Sequence, residues 1–170
     1  NMEEYEYHDD NWDWNYINGD AYDDEAIAEI EKRNSKIASA EDPGTSIKDL
    51  IALSKDKDEW VRTLVATNPS TTPEILATLN KDESKYVRSA VARNSNTPKG
   101  MVSIIANDLS KDEDSDTRRR VANNPNTPSD ILASLSKDES FLVRRDIAEN
   151  PNTPVEVLVA LSKDGDREVR

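Results

Sequence analysis

The sequence predicts an all-α fold, an α-solenoid of about five two-helix repeats, from three markers that recur together. A turn beginning with Asp or Asn recurs at residues 42, 68, 94, 124 and 150. A Lys-Asp pair recurs at 55, 81, 111, 137 and 163, and an arginine at 62, 88, 118, 144 and 170. All intervals are 26 residues except one of 30, so the repeats are expected near 42–67, 68–93, 94–123, 124–149 and 150–170.

The N-terminal 22 residues are predicted to form an acidic, aromatic tail. Residues 1–31 hold twelve Asp and Glu and no Lys or Arg, whereas the other residues hold 23 acids and 22 bases. The tail carries six of the nine aromatic residues and has no helical period. It is therefore either solvated or docked by its rings, with Trp12, Trp14 and Tyr16 as the candidate contact residues.

Residues 23–41 are predicted to form an N-terminal capping helix. Ala26, Ile27, Ile30 and Ile37 fall at helical spacing. Acidic residues precede basic ones along this segment, which complements the helix dipole. The solenoid is expected to cover residues 42–170.

The motif NPNTP, at residues 124–128 and again at 150–154, is predicted to end one helix and begin the next. Asn124 is expected to adopt the left-handed conformation, and Pro125 prevents continuation of the helix. Thr127 is expected to cap the following helix, with Asp130 completing a capping box and Pro128 at the first helical position.

Each repeat is predicted to contain two short amphipathic helices. The first helix carries paired aliphatic residues and a later leucine, namely Ile75, Leu76 and Leu79, Ile131, Leu132 and Leu135, and Val157, Leu158 and Leu161. The second carries valine or isoleucine and then alanine at 66, 92, 122 and 148, where helices are expected to approach closely. Helices this short gain stability only by stacking on neighbours, which favours the solenoid.

The third predicted repeat departs from the pattern. It has 30 residues, and four extra residues are close to one helical turn, so its first helix can lengthen without rotating its apolar face. Thr117 replaces the usual valine and Arg118, Arg119 and Arg120 follow. These changes reflect either drift in a tolerant repeat or a specific function.

The recurrent arginines are interpreted as a structural ladder, in which each satisfies main-chain carbonyls or an aspartate near a turn. The arginines outside this period are the better binding candidates. The candidate binding residues are Arg93, Arg118, Arg119, Arg120, Arg144 and Arg145. The acidic tail is hypothesised to occupy this arginine patch and to compete with an acidic partner.

Residues 42–170 resemble the leucine-rich repeat variant family, through recurring Asn-Pro, Thr-Pro, paired aliphatic, Asp and Val-Arg elements. The resemblance implies a right-handed superhelix of alternating α and 3₁₀ helices. Iron–sulfur binding by an N-terminal cysteine cluster is associated with that family. This chain has no cysteine, so the cofactor is not carried over, and no cofactor or metal is expected.

Composition argues against catalysis, because there is no cysteine and a single histidine, His8, lies in the tail. We expect a non-catalytic scaffold that binds a protein or peptide through its extended surface. The alternative is binding of nucleic acid or another polyanion through the arginine patch, regulated by the acidic tail, although the pI near 4.5 argues against nucleic acid.

Two further expectations concern location and assembly. The sequence contains no membrane-spanning run and no signal-peptide pattern, so a cytoplasmic location is expected. The repeat series stops at Val169 and Arg170, partway through the expected second helix of the fifth repeat. An uncovered C-terminal end would self-associate weakly or exchange its amides rapidly.

Overall fold

The computed structural model describes residues 24–170, and within this range the chain is entirely helical, with ten α-helices and no β-strand. They are α1 (Asp24–Glu41), α2 (Ile47–Leu53), α3 (Glu59–Thr67), α4 (Pro73–Leu79), α5 (Lys85–Arg93), α6 (Lys99–Leu109), α7 (Ser115–Asn123), α8 (Ser129–Leu135), α9 (Phe141–Glu149) and α10 (Val155–Leu161). The predicted all-α class is confirmed for these residues.

Helix α1 matches the predicted capping segment to within one residue at each end. Its apolar side chains differ in burial along its length. Ile27 and Ile30 are exposed, Ile37 is half-buried, and Ala40 is fully buried. The burial of α1 is therefore concentrated in its last turn.

From residue 36 to residue 170 the chain forms one compact unit in which helices of two kinds alternate. The first helices are α2, α4, α6, α8 and α10, and the second helices are α3, α5, α7 and α9. Each second helix contacts the second helix that precedes or follows it and also the first helices on either side of it in sequence. These contacts place the second helices in a row.

The core consists of the aliphatic positions that the repeat predicted. Val61, Val65, Val87, Val91 and Leu76 are completely buried. Leu158 departs from the prediction, since 37% of its surface is exposed on α10. Short helices of seven to eleven residues thus share a continuous apolar core, which is what makes them stable.

The junctions between helices differ from the predicted capping scheme. Asn124 has φ −75° and ψ 119°, so it is extended and not left-handed. Pro128 is the residue before α8 and not its first residue.

Thr127 does not cap α8; its buried hydroxyl donates backward to the Val121 carbonyl at 2.7 Å. The same bond joins Thr71 to Val65, at 2.6 Å. Each of these carbonyls also accepts a main-chain N–H, from Asn124 at 3.1 Å and from Asn68 at 3.2 Å, so the threonine hydroxyl is a second donor at the end of the helix.

Asparagine side chains connect successive junctions. The Asn94 side-chain amide donates to the carbonyls of Ala66 at 2.8 Å and Asn68 at 3.1 Å, residues 28 and 26 positions earlier. Asn68 and Asn150 make the equivalent pairs of bonds to the preceding junctions. Each side chain therefore joins two consecutive turns through buried hydrogen bonds.

The asparagine series is interrupted after α6, which has 11 residues where the other first helices have 7. Four more helical residues add about 6 Å along the axis. Asn124 donates no bond to the preceding junction. Asn126 donates instead, to the carbonyls of Ala92 and Arg93, both at 3.3 Å. The longer helix has shifted the register of this junction.

The 3₁₀ helices implied by the family resemblance are not found between residues 24 and 170, where every helix is α. Hydrogen bonds of the 3₁₀ type occur there as single turns, as from the Thr71 N–H to the Asn68 carbonyl at 3.1 Å. The segment after α10 is likewise a turn, closed from Val169 to Asp166 at 3.2 Å, and not a helix.

Candidate protein-interaction face

Two of the candidate binding arginines, Arg118 and Arg144, are engaged in structural contacts. Arg118 binds Asp138 through two parallel hydrogen bonds, from Nε at 2.7 Å and Nη2 at 3.1 Å. Its Nη1 also donates to the Asp112 carbonyl at 2.9 Å. Arg144 binds Asp164 in the same way, at 2.8 and 3.0 Å. These side chains are not available to a ligand.

Arg62 completes this series by binding Asp82 at 2.7 and 3.0 Å. In all three pairs the aspartate lies 20 residues after the arginine, in the next repeat. The sequence prediction of a structural ladder holds for these contacts. What the sequence did not indicate is that each arginine also joins two repeats.

The pairing changes the acidity of the groups involved. Hydrogen bonding to Asp138 raises the pKa of Arg118, and the bond from Arg144, helped by the Asp166 N–H, lowers the pKa of Asp164 to about 2. Burial alone would raise the pKa of Asp82, but hydrogen bonds from Arg62 and the Ser84 N–H outweigh it and lower that pKa. All of these pairs are therefore ionised at neutral pH.

Arg119 and Arg145 converge on one buried carboxylate. Arg119 Nε donates to Asp146 at 2.7 Å, which raises the pKa of Arg119, and Arg145 Nη2 lies 3.5 Å from the other oxygen of Asp146. Arg119 also pairs with exposed Asp116 at 3.5 Å. The Asp146 side chain is only 3% exposed, and Arg145 Nε is buried without a hydrogen-bond partner. Much of the charge predicted for the patch is thus neutralised within the protein.

Arg120 and Arg93 are the arginines of the patch that remain exposed. The Arg120 guanidinium lies over the ring of Tyr86, 5.0 Å from its centroid, a cation–π contact between α7 and α5. Arg93 is exposed and forms no ion pair with any residue between 24 and 170. Trp60, on α3, is 48% exposed.

These side chains define one surface, which we call the second-helix face. It consists of exposed and half-buried side chains of α3, α5, α7 and α9, namely Trp60, Tyr86, Arg93, Arg119, Arg120 and Arg145. The contacts between α3 and α5, α5 and α7, and α7 and α9 make it continuous. Its exposed groups are the rings of Trp60 and Tyr86 and the guanidinium groups of Arg93 and Arg120, of which Arg120 lies over Tyr86. Such groups suit carboxylates and apolar side chains.

Sequence reasoning overlooked three residues of this region. Trp60 and Tyr86 occupy the same position in their repeats, directly before Val61 and Val87, and this equivalence was the available signal. Asp146 stands where the other repeats have Leu64, Ala90 or Arg120. An acid at a position otherwise apolar or basic indicated a specific charge partner.

The remaining predicted contact residues, Trp12, Trp14 and Tyr16, lie outside the residues that the structure describes. Across positions 24–170, no group of three or more His, Cys, Asp or Glu side chains is placed to hold a metal ion. Over the same range, no helix has both the length and the apolar character that crossing a membrane requires.

Comparison with known proteins adds no relative. No protein-family model matches the chain, and neither the curated proteins nor the solved structures include a match. The resemblance to leucine-rich repeat variant proteins therefore stays a prediction, and the functional argument depends on the geometry of the chain itself.

Proposed function

We propose that this protein is a non-catalytic scaffold that binds a protein or peptide partner through the second-helix face. The observation that carries the proposal is the exposure of Trp60 and Tyr86, at 48% and 40%, on helices that also carry exposed Arg93 and Arg120 or contact the helix that does. Exposed aromatic and arginine side chains are the residue types that contribute most to protein interfaces. The partner is expected to present acidic and apolar side chains.

The proposal includes the finer architecture predicted from the sequence, a right-handed α-solenoid of five repeats over residues 42–170 with residues 23–41 as its cap. Support comes from bonds that recur at fixed intervals, such as those made by Asn68 and Asn94 to residues 28 and 26 positions earlier. Row-like packing of second helices produces the extended surfaces that solenoids use in binding.

Binding of nucleic acid is the second candidate and is less well supported. A polyanion site needs several unpaired basic groups along one surface. Arg118 and Arg144 bind aspartates in the adjacent repeat, and Arg119 is held by Asp146. Arg145 is half-buried and lies 3.5 Å from the same Asp146, so Arg93 and Arg120 are the two exposed arginines of the six left for a phosphate backbone.

The test uses the full chain and a photo-crosslinking residue placed at Thr63, which lies on α3 one turn after Trp60. We expect a crosslinked protein in source lysate that is lost in a Trp60→Ser/Tyr86→Ser/Arg120→Ser variant. A matched control carries Val155→Ser, Val159→Ser and Lys163→Ser, which are exposed positions at and after α10. Nuclease treatment should leave the crosslink unchanged.

Loss of the crosslink in both variants, or its survival in the triple second-helix variant, would refute binding through this face. If nuclease removes the crosslink instead, the polyanion alternative is supported. Circular dichroism of each variant establishes that the helices are intact.

A further inference from the structure

Four of the recurrent arginines, Arg62, Arg88, Arg118 and Arg144, are followed by another repeat. Arg88 is the one of these four that does not hold a carboxylate of a described residue through two hydrogen bonds. Its Nη1 donates to the carbonyls of Asp82 at 2.7 Å and Glu83 at 3.0 Å, as the other arginines do in their own repeats. Its Nε and Nη2 form no hydrogen bond with any described residue. The nearest carboxylate is Asp108, 3.6 Å from Nη2.

The cause is the four-residue extension of α6. Asp108 lies 20 residues after Arg88, the interval at which Arg62 finds Asp82, but it now falls within the last turn of the longer helix. Asp112, which follows α6 as Asp82 follows α4, is bound by Lys85 at 3.2 Å. Neither aspartate presents both oxygens to Arg88.

Arg88 is one of the residues that line a cavity of about 370 Å³. The cavity is lined by Asn80, Arg88, Ile104, Ile105, Asn107, Asp108 and Lys111. Arg88 and Lys111 are basic and Asp108 is acidic, so the lining carries a net formal charge of +1 (two minus one). Ile104, 67% exposed, provides an apolar surface at the edge of the cavity.

We propose that this cavity binds a side-chain carboxylate of a partner protein, from an aspartate or glutamate flanked by apolar residues. The three complete pairs show the ligand chemistry directly, because Arg62, Arg118 and Arg144 each hold a carboxylate through Nε and Nη2. An incoming carboxylate makes the same two bonds to Arg88, and Lys111 attracts it. Its apolar neighbour packs on Ile104.

This site is separate from the second-helix face and does not depend on it. The lining of the cavity includes neither the exposed aromatic residues Trp60 and Tyr86 nor Arg120. Substitutions on the face therefore serve as controls for the cavity. Failure of one proposal leaves the other intact.

The experiment titrates the ¹⁵N-labelled full chain with the peptide N-acetyl-Leu-Asp-Leu-amide while the Arg88 Nε–H signal is followed by NMR. We expect a saturable shift of that signal, and no such shift with the Asn analogue, which cannot accept two charge-assisted hydrogen bonds. Arg88→Gln identifies the signal by its loss. Arg120→Gln should leave the titration unchanged.

Two exposed positions adjust the affinity in opposite directions without disturbing the fold. Asp108→Asn removes the competing carboxylate and should tighten binding about threefold, and Lys111→Gln should weaken it about threefold. Ile104→Ser should also weaken it. The matched peptide N-acetyl-Leu-Asn-Leu with a free terminal carboxylate tests whether a chain end is bound instead.

The proposal is overturned if the Asp peptide fails to move the Arg88 signal at saturating concentration, or if the Asn analogue moves it equally. A shift caused only by the peptide with the free C-terminus also overturns the proposal, because the cavity would then bind terminal carboxylates and not side-chain carboxylates. Unchanged affinity in both Asp108→Asn and Lys111→Gln would place the bound peptide elsewhere.

Discussion

The guanidinium of Arg118 and the carboxylate of Asp138 form two parallel hydrogen bonds of 2.7 and 3.1 Å across 20 residues of chain. Both side chains are buried, at 9% and 7% exposure. Arg118 also donates to the Asp112 carbonyl, in the turn that precedes α7, while Asp138 lies in the turn that precedes α9. One side chain therefore connects these two turns. Pairs of this kind contribute specificity of stacking because they form only in one register.

The first prediction concerns this pair. Arg118→Gln should lower the free energy of unfolding by about 3 kcal/mol, because the Asp138 carboxylate then stays buried without its cation. Arg120→Gln, at an exposed position two residues later, should cost less than about 0.5 kcal/mol. Urea unfolding followed by circular dichroism measures both. Equal effects of the two substitutions would show that the buried pair has no special role.

The second prediction compares two asparagines at equivalent positions. Asn94→Ala should destabilise the protein by about 2 kcal/mol, because it removes two buried hydrogen bonds and takes the side-chain donor from the Ala66 carbonyl, while the Asn68 carbonyl keeps only the Thr71 N–H. Asn124→Ala should cost less. Asn124 keeps only the bond its side chain accepts from the Asn126 N–H, at 2.9 Å, which Asn94 also has with Asn96.

The measurement is the difference in unfolding free energy between these two variants. Both variants lose the hydrogen bond that the asparagine side chain accepts from the N–H two residues later, so this loss cancels in the difference. Hydrogen exchange of the amides around Asn68 gives a local check. A larger effect for Asn124→Ala would contradict the interrupted asparagine series.

The repeat, its helices and its core could be predicted from sequence because they depend on periodicity. Three markers on one interval predicted two short helices per repeat, and α2 to α10 alternate in this way. The expected second helix of the fifth repeat is wrong, because residues 166–169 form a turn. The capping chemistry could not be predicted from a single repeat. Thr127 matches the N-cap pattern locally, yet its hydroxyl donates to the Val121 carbonyl at the end of the preceding helix, a carbonyl that also accepts the Asn124 N–H.

The candidate site was predictable only in part, for a related reason. Six arginines were identified in the sequence as candidate binding residues, but charge alone does not reveal which of them have partners. Arg118 and Arg144 pair with aspartates 20 residues away, and Arg119 with an acid 27 residues away. Only the three-dimensional stacking of helices brings these residues together. Arg88, in contrast, appeared regular in sequence and proves to be the exception.

The third prediction concerns pH. The folded pKa of Asp164 is about 2, below its ordinary value of 3.8, because of its bonds with Arg144 and the Asp166 N–H. A lowered folded pKa means that the unfolded chain binds the proton more readily, so stability is complete above 3.8 and declines as pH falls toward about 2. The lowered pKa values of Asp82 and Asp138 act in the same direction.

Urea midpoints measured across this acid range test the pH prediction. Asp164→Asn should be less stable than the unaltered protein at neutral pH and should show a shallower decline in acid. A decline of the same steepness in both proteins would show that this carboxylate is not linked to folding.

The last prediction concerns the four-residue extension itself. Deleting residues 103–106 leaves Val102 followed by Asn107, Asp108 and Leu109, which matches Leu76, Ala77, Thr78 and Leu79 of α4 and restores a repeat of 26 residues. Asp112 then follows Arg88 by 20 residues, as Asp82 follows Arg62. We expect Arg88 and Asp112 to form the bidentate pair and the 370 Å³ cavity beside Arg88 to close.

A double-mutant cycle with Arg88→Gln and Asp112→Asn measures the coupling between these residues. In the unaltered protein, where Lys85 binds Asp112, the coupling free energy should be within about 0.5 kcal/mol of zero. In the shortened protein it should exceed about 1 kcal/mol, because a charged hydrogen-bonded pair has formed. The shortened protein should also lose the response of Arg88 to the Asp peptide. Equal coupling in both proteins would show that helix length does not decide which carboxylate Arg88 binds.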